Sequence, residues 1–227
     1  MENQLLALLP GPDRTRLHLL AERVALAASD VLCEPGDVTR HVYFPVEGFV
    51  SLVAPIDGKP GLEVGMVGFE GMLGAQLALG VQTAPLHAVV QSPGFAWRVE
   101  AQAFCGELAR QPVLQAVLRR YIYVLMAQLN TSAACLRFHL IEQRLARWLL
   151  MCQDRARSAS FHATHESLAY VLGVRRVSVT TAAGALQRCG LIKYQHGEVT
   201  LVDRPGLQAK VCACYAADRA AYAGLLS

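Results

Sequence analysis

Hydrophobic and polar residues follow two different patterns along the chain, and the pattern changes near residue 110. Between residues 28 and 104, β-prone runs such as VYFPV and LEVGMV alternate with glycine- and proline-containing turns about every ten positions. Strands of four to seven residues at this spacing are typical of a compact β-barrel or sandwich, and not of β-α-β units. Residues 5–27 instead predict short helical pieces around a proline-glycine break at residues 10–12.

The segment after residue 111 predicts one long helix. It begins with Pro112 and runs to residue 138 without glycine or further proline, and its apolar residues recur at spacings of four, three and four positions. This spacing fits the seam of a two-stranded dimer, and it fits a helix packed against its own barrel equally well. A second helix is expected over residues 141–155. The apolar stripe of the long helix consists of Leu114, Leu118, Tyr121, Leu125, Ser132 and Leu136, with Gln128 or Leu129 in the middle.

Residues 164–203 have the layout of a winged helix-turn-helix. Thr164 is a favourable N-cap for a first helix, and Gly173 supplies a turn that favours a positive φ. A second helix follows and ends before Gly190. The runs LIKYQ and EVTLV, separated by a His-Gly turn, then predict a small hairpin, which is the wing.

The second helix of this unit carries the side chains expected to contact DNA. Its first turn is where a recognition helix meets base edges, and an arginine there can form a bidentate contact with guanine. We therefore expect Arg175 and Arg176 to lead base recognition, with Ser178, Thr180 and Thr181 assisting. The candidates for phosphate contacts are Thr164, Arg188, Lys193 and His196.

The distribution of charge indicates an anionic partner for the C-terminal part of the chain. The net charge is +3, but residues 1–136 hold nine basic and twelve acidic side chains, whereas residues 137–227 hold twelve and six. A basic C-terminal region beside a mildly acidic N-terminal one is consistent with nucleic-acid binding.

Composition argues against several other classes of protein. Apolar residues make up 53% of the chain and charged residues 17%, which suits ordinary hydrophobic cores and is too apolar for a disordered chain. No stretch has the character of a membrane span, and the N-terminus lacks the features of a signal peptide, so we expect a cytoplasmic protein. The seven cysteines form no recognisable disulfide framework and are expected to be reduced.

On these segments the chain resembles the Crp/Fnr family of bacterial transcription regulators. The likeness spans nearly the whole chain and is carried by EPGD with HVYFPVEGFVSLV, by MVGFEGMLG, by RLARWLLM and, most specifically, by LAYVLGVRRVSVTTAAGALQRCGLI. The resemblance implies an α+β protein with three parts. These are an N-terminal double-stranded β-helix or jelly-roll of the cyclic-nucleotide-binding type (residues 1–110), a dimerisation helix (residues 111–138) and a winged helix-turn-helix DNA-binding domain (residues 139–227).

The resemblance also implies partners. The family pattern is a homodimer that binds a palindromic operator in double-stranded DNA and contacts RNA polymerase. It favours the dimer interpretation of the long helix, with a seam made by Leu114, Leu118, Tyr121, Leu125 and Ser132. The alternative is a regulatory module for a cyclic nucleotide, a cyclic dinucleotide or another small molecule, whose helical part contacts protein and not DNA.

The expected effector pocket departs from the cyclic-AMP-binding pattern of the family. That pattern has a Gly-Glu pair, and Glu70 matches its glutamate although Phe69 separates it from Gly68. The pattern also has an Arg-Ser pair, and the corresponding positions fall near Ala84 and Pro85. No lysine or arginine lies between Lys59 and Arg98, and losing a charge-assisted pair to the phosphate costs roughly 1.5–3 kcal/mol. We therefore expect another ligand, or none, in place of cyclic AMP. The candidate pocket residues are Gly68, Glu70, Gly71, Gly74 and His87.

Neither a metal site nor a catalytic centre is predicted. An iron–sulfur sensor of the Fnr type needs a cluster of N-terminal cysteines, and only Cys33 lies in the first hundred residues. Cys212 and Cys214, together with Cys189, form a weak metal or redox motif, but a helix would point residues i and i+2 apart, so buried thiols are expected there. The sequence shows no nucleophile–base constellation, and enzymatic activity is not expected.

Overall fold

The computed structural model describes residues 2–56 and 59–225. Two short helices lead into a β-roll, a long helix crosses it, and a smaller helical domain follows. The N-terminal part comprises α1 (Gln4–Ala7), α2 (Gly11–Leu20), β1 (Ala21–Leu26), β2 (Val31–Cys33), β3 (His41–Ile56), β4 (Lys59–Val67), a 3-10 helix (Ala75–Leu79), β5 (His87–Glu100) and α3 (Ala101–Arg110). The remainder comprises α4 (Pro112–Phe138), α5 (Ile141–Ala156), β6 (Ser160–His162), α6 (His165–Leu172), α7 (Arg176–Arg188), β7 (Ile192–Gln195), β8 (Glu198–Leu201), α8 (Arg204–Lys210) and α9 (Ala213–Leu225).

The strands of the roll form one antiparallel sheet in the order β1-β5-β3-β4, with β2 also paired to β5. Strands β3 and β5 are sixteen and fourteen residues long, so the prediction of uniformly short strands was wrong. The reason is that turn-like residues lie at bulges between β3 and β5. Gly48 has a φ of +74°, and a Cβ on Gly94 would lie 2.1 Å from the carbonyl oxygen of Glu47. These glycines let two long strands bend where their backbones approach closely.

The long helix α4 packs on the roll through its apolar stripe. Leu114, Leu118 and Tyr121 are buried in the same hydrophobic core as Phe44 of β3. The hydroxyl of Tyr121 donates a hydrogen bond to the carbonyl oxygen of Met72 at 3.0 Å, which satisfies its buried polar group. Helix α4 is therefore an integral part of the N-terminal domain.

This packing corrects the predicted dimer seam. Leu114, Leu118, Tyr121 and Ser132 are buried in the chain itself, and Leu125 is half-buried against the same core. The roll buries Leu114, Leu118 and Tyr121 within one chain, so these three side chains are not available to a second copy. A different face of α4 exposes large apolar side chains, with Tyr123 62% and Met126 56% accessible.

The C-terminal domain is built around α5. Trp148 and Leu149 of this helix lie in a core that includes residues of α6, α7 and the three-stranded sheet β6-β8-β7. Phe49 of β3 and Met66 of β4 belong to the same core, so the roll and the C-terminal domain share an apolar interface. Helix α9 returns to pack along α4. Among the described residues, no helix is both long and apolar enough to cross a membrane.

Candidate nucleic-acid interface

Helix α6 is fixed at both ends by the residues that the sequence predicted. The hydroxyl oxygen of Thr164 accepts a hydrogen bond from the backbone N–H of Ser167 at 3.0 Å, which confirms the N-cap. Gly173 ends the helix in the left-handed conformation, with a φ of +60°. A Cβ on Gly173 would lie 2.6 Å from a methyl carbon of Leu62 in β4. Glycine is therefore favoured at this turn by its positive φ, and its missing side chain leaves room for Leu62.

Helix α7 presents a basic first turn to solvent. It begins at Arg176 with Arg175 as the N-cap residue, and both side chains are exposed. Its inner face buries Val179 and Leu186 in the core of the domain. Val177 is 73% exposed beside the two arginines, an apolar surface residue that the sequence reasoning missed. Its position one residue after Arg176, outside the buried stripe, is the signal that could have revealed it.

A small polar and aromatic cluster joins α6, α7 and the wing. The ring of His165 stacks on Tyr194 with a centroid distance of 4.5 Å and an interplanar angle of 17°. Its Nδ1 lies 3.0 Å from the hydroxyl of Thr180. Burial, with a smaller contribution from Arg176, lowers the pKa of His165. Thr180 thus has a positioning contact inside the domain, which the sequence did not indicate.

The other residues predicted to contact DNA lie on α7 and in the wing. Thr181 and Arg188 are exposed on α7, with Arg188 as its last residue, and Ser178 is half-buried. Lys193 is exposed on β7. His196 and Gly197 form the tight turn of the wing with positive φ angles of 50° and 83°, as a two-residue hairpin turn requires. The first turn of α7, the wing and the start of α6 therefore belong to one packed unit.

A cavity of about 700 Å³ lies between the roll and α4. Its walls are mainly apolar and include Leu52, Val67 and Leu73 of the roll together with Ile122 and Leu129 of α4. Such a volume and lining are typical of small-molecule sites. Helix α4 thus connects the cavity directly with the junction to the C-terminal domain.

The cavity corrects part of the expected pocket. Among the five candidate residues, only Gly74 lines it. Ala84 and Pro85 also line it, at the positions where the sequence placed the Arg-Ser pair of cyclic-AMP-binding members. Arg40 and His41 contribute to its wall. Arg40 lies outside the interval between residues 59 and 98 that lacks lysine and arginine, and the roll brings it to the cavity.

Glu70 is an interdomain residue and not a ligand residue of this cavity. Its Oε1 lies 2.8 Å from Nε of Arg155 in α5, and both side chains are buried. A Cβ on Gly68 would lie 2.8 Å from Cγ of Arg155, and one on Gly71 would lie 2.3 Å from the hydroxyl of Tyr121. These two glycines therefore provide room for neighbouring side chains. The assignment of Gly68, Glu70 and Gly71 to the pocket was wrong because their partners come from distant helices.

The Glu70 carboxylate offsets the cost of burying the guanidinium of Arg155. Burial by itself lowers the pKa of Arg155, but the Glu70 carboxylate and Tyr222 outweigh this effect and raise the pKa. His87, the remaining pocket candidate, has its Nδ1 2.8 Å from Oε2 of Glu34 in a partly exposed pair. It is not among the residues that line the cavity, so this assignment was also wrong.

The comparisons with known proteins agree with this architecture. Residues 143–210 match the family model of the Crp-like helix-turn-helix domain. A search of curated proteins gives no significant match. The chain therefore carries a Crp-like helix-turn-helix DNA-binding domain, which includes α6, α7 and the wing.

Solved structures extend the likeness to the rest of the chain. FixK2 from Bradyrhizobium japonicum superimposes with a TM-score of 0.72 at 14% identity, over 85% of this chain and 98% of that one. The c-di-GMP-responsive global regulator CLP from Xanthomonas campestris superimposes with a TM-score of 0.68 at 17% identity, over 85% of this chain and 99% of that one. A CRP-family transcriptional regulator from Thermus thermophilus has a TM-score of 0.67 at 21% identity, over 82% of this chain and 95% of that one. The chain thus has the Crp/Fnr-type transcriptional regulator fold, as the sequence resemblance predicted.

Proposed function

We propose that the protein is a homodimeric transcriptional regulator that binds a palindromic DNA operator in the cytoplasm and acts with RNA polymerase. The observation that carries this proposal is the exposed first turn of α7, where Arg175, Arg176 and Val177 project from a helix whose other face is buried. This turn belongs to the basic part of the chain. A firmly packed basic helix with an open N-terminal turn has the chemistry of a recognition helix.

Arg176 is the residue to which we assign direct base reading. A guanidinium in the first turn of a recognition helix can form two parallel hydrogen bonds with O6 and N7 of guanine. Val177 beside it is apolar and exposed, and such a side chain suits contact with a thymine methyl group. Arg188 lies twelve residues further along α7, about 18 Å away, and suits the phosphate backbone. Arg176 therefore determines sequence preference, and Arg188 contributes affinity.

The change Arg176→Ala tests base reading. We expect binding to the preferred duplex to weaken by about 1–3 kcal/mol, roughly 5- to 150-fold, with the preference at one base pair relaxed. Mobility shift against the preferred and scrambled duplexes measures both effects. Arg110→Ala is the matched control, because it removes one exposed positive charge from α3 of the roll. An equal loss on both duplexes would assign Arg176 to phosphate contact.

We assign dimerisation to the exposed face of α4 that contains Tyr123 and Met126. These large side chains are one helical turn apart and more than half exposed, which is costly for apolar surface in a monomer. A two-fold contact along α4 would cover them and set the two α7 helices side by side. Recognition helices in such dimers lie about one DNA turn apart, which is why the operator is palindromic.

We propose that the cavity receives an effector other than cyclic AMP. The positions that carry the phosphate-binding arginine and serine in cyclic-AMP-binding members are Ala84 and Pro85, and most of the wall is apolar. Arg40 belongs to the wall but is exposed, so water weakens its attraction for a phosphate. Titration calorimetry with cyclic AMP should show no binding tighter than about 100 μM. Micromolar binding would contradict this assignment.

A further inference from the structure

Four side chains with metal-binding atoms converge near the C-terminal end of α4. They are Cys135, His139, Cys212 and Cys214, and their donor atoms all lie within 4.8 Å of one another. Two of these separations are 3.6 Å, between the sulfurs of Cys135 and Cys212, and 3.5 Å, between the sulfur of Cys214 and Nδ1 of His139. Nothing in the proposed function uses this cluster.

These two separations match the edges of a tetrahedral zinc site. With Zn–S bonds of about 2.3 Å and Zn–N bonds of about 2.05 Å, tetrahedral geometry gives edges of about 3.8 Å between sulfurs and about 3.6 Å between sulfur and nitrogen. A disulfide instead requires the sulfurs to approach to about 2.05 Å. The compact arrangement has no room for an iron–sulfur cluster, in which different irons take different protein ligands. One thiophilic ion fits the cluster best.

Local backbone structure explains how the four ligands meet. Cys135 and His139 are four residues apart at the end of α4, with His139 as the residue that follows the helix, so they lie on one face. Cys212 precedes α9, and Cys214 is in its first turn. The expectation that Cys212 and Cys214 point apart was therefore wrong, because only Cys214 is helical. Cys189, which the sequence grouped with them, is exposed at the end of α7 and is not part of the cluster.

The surroundings suit an anionic metal centre. The sulfurs belong to buried cysteines that form a separate small core, which Val211 also contacts. The buried Arg144 and Arg147 both interact electrostatically with Cys135. Arg147 is paired with Asp218 at 2.6 Å, whereas the guanidinium of Arg144 donates to the carbonyl oxygen of Leu172. Three thiolates, a neutral imidazole and Zn²⁺ have a net charge of −1, which complements Arg144.

We propose that Cys135, His139, Cys212 and Cys214 bind one Zn²⁺ ion, which fastens the start of α9 to the end of α4. Thiolate and imidazole ligands favour Zn²⁺ over hard cations such as Mg²⁺. The metal would join the long helix to the last helix of the C-terminal domain, beside the α4–α5 junction. Because the four donors come from both sides of that junction, metal binding would hold the two domains in one arrangement.

Metal analysis of the full chain tests the proposal. The chain is purified under reducing conditions without added metal, and zinc is measured per chain by mass spectrometry. We expect close to one zinc per chain, retained in the matched control Cys189→Ser and lost in Cys214→Ser and His139→Ala. Far-ultraviolet circular dichroism identifies the variants that remain folded. Full zinc content in a folded Cys214→Ser variant would overturn the site, as would a chain that binds no metal.

Cobalt substitution supplies a test that does not depend on variants. The native chain is stripped with a chelator under reducing conditions and titrated with Co²⁺. We expect the strong visible bands of tetrahedral cobalt and a thiolate-to-cobalt charge-transfer band, both saturating at one equivalent and disappearing when Zn²⁺ is added. Octahedral cobalt spectra, or a Cys135–Cys212 disulfide as the main species in the chain isolated without reductant, would contradict the proposal.

Discussion

Removing the carboxylate of Glu70 should destabilise the protein strongly, because it leaves the guanidinium of Arg155 buried without its counter-charge. The two side chains are both buried, and their charged atoms are 2.8 Å apart. Breaking one side of a buried ion pair costs about 3–5 kcal/mol. For a chain of 227 residues, an unfolding entropy of about 2.1 cal/mol/K per residue converts this loss into a fall in Tm of roughly 6–10 °C for Glu70→Ala.

Differential scanning calorimetry measures this effect, and two further variants isolate its cause. Replacing both partners, Glu70→Leu with Arg155→Met, should recover most of the lost stability, because no unpaired charge remains. Glu34→Ala is the matched control, since Glu34 forms a partly exposed pair with His87 whose loss should cost less than about 1 kcal/mol. A Tm for Glu70→Ala equal to that of the native chain would contradict this prediction, as would a double variant that is no more stable than the single one.

Two further predictions concern pH and assembly. Burial raises the pKa of Glu63 from 4.5 to about 7, so the folded state holds its proton more tightly and stability should fall as pH rises from about 4.5 to 7. Glu63→Gln should therefore flatten the change in Tm between pH 5 and pH 8, and an unchanged slope in this variant would refute the role of Glu63. Light scattering at micromolar concentration should give a dimer for the native chain and the monomer mass of about 24.6 kDa for Met126→Glu. Leu19→Glu, which changes another exposed apolar position, should stay dimeric. A monomeric native chain would exclude the α4 contact.

The helix-turn-helix could be predicted from sequence because its information is local. The Thr164 cap, the Gly173 turn and the His-Gly turn of the wing each lie within a few residues of the backbone groups they control. The apolar stripe of α4 was also visible, but periodicity does not say which surface covers it. The stripe fits a roll core as well as a dimer seam, and in this chain Leu118 and Tyr121 face the roll.

The remaining misassignments have a common physical origin in long-range packing. Glu70 is paired with a residue 85 positions away, and Arg40 reaches the cavity from outside the segment that defines the family motif. The cysteine–histidine cluster joins residues 135 and 139 to residues 212 and 214. Cys135 with His139 and Cys212 with Cys214 are local pairs, but no local signal joins one pair to the other, and the contacts of Glu70 and Arg40 leave none either. They depend on how β4, α4, α5 and α9 pack together.

Selection of bound sequences from a random duplex library tests the central claim most directly. The full chain is incubated with the library at moderate salt, the retained duplexes are sequenced, and their binding is measured at increasing salt. We predict enrichment of an inverted repeat whose half-sites are about one helical turn apart, with affinity that falls steeply as salt rises. Retention of duplexes without any enriched sequence, or no retention at all, would contradict the assignment of this protein as a sequence-specific regulator.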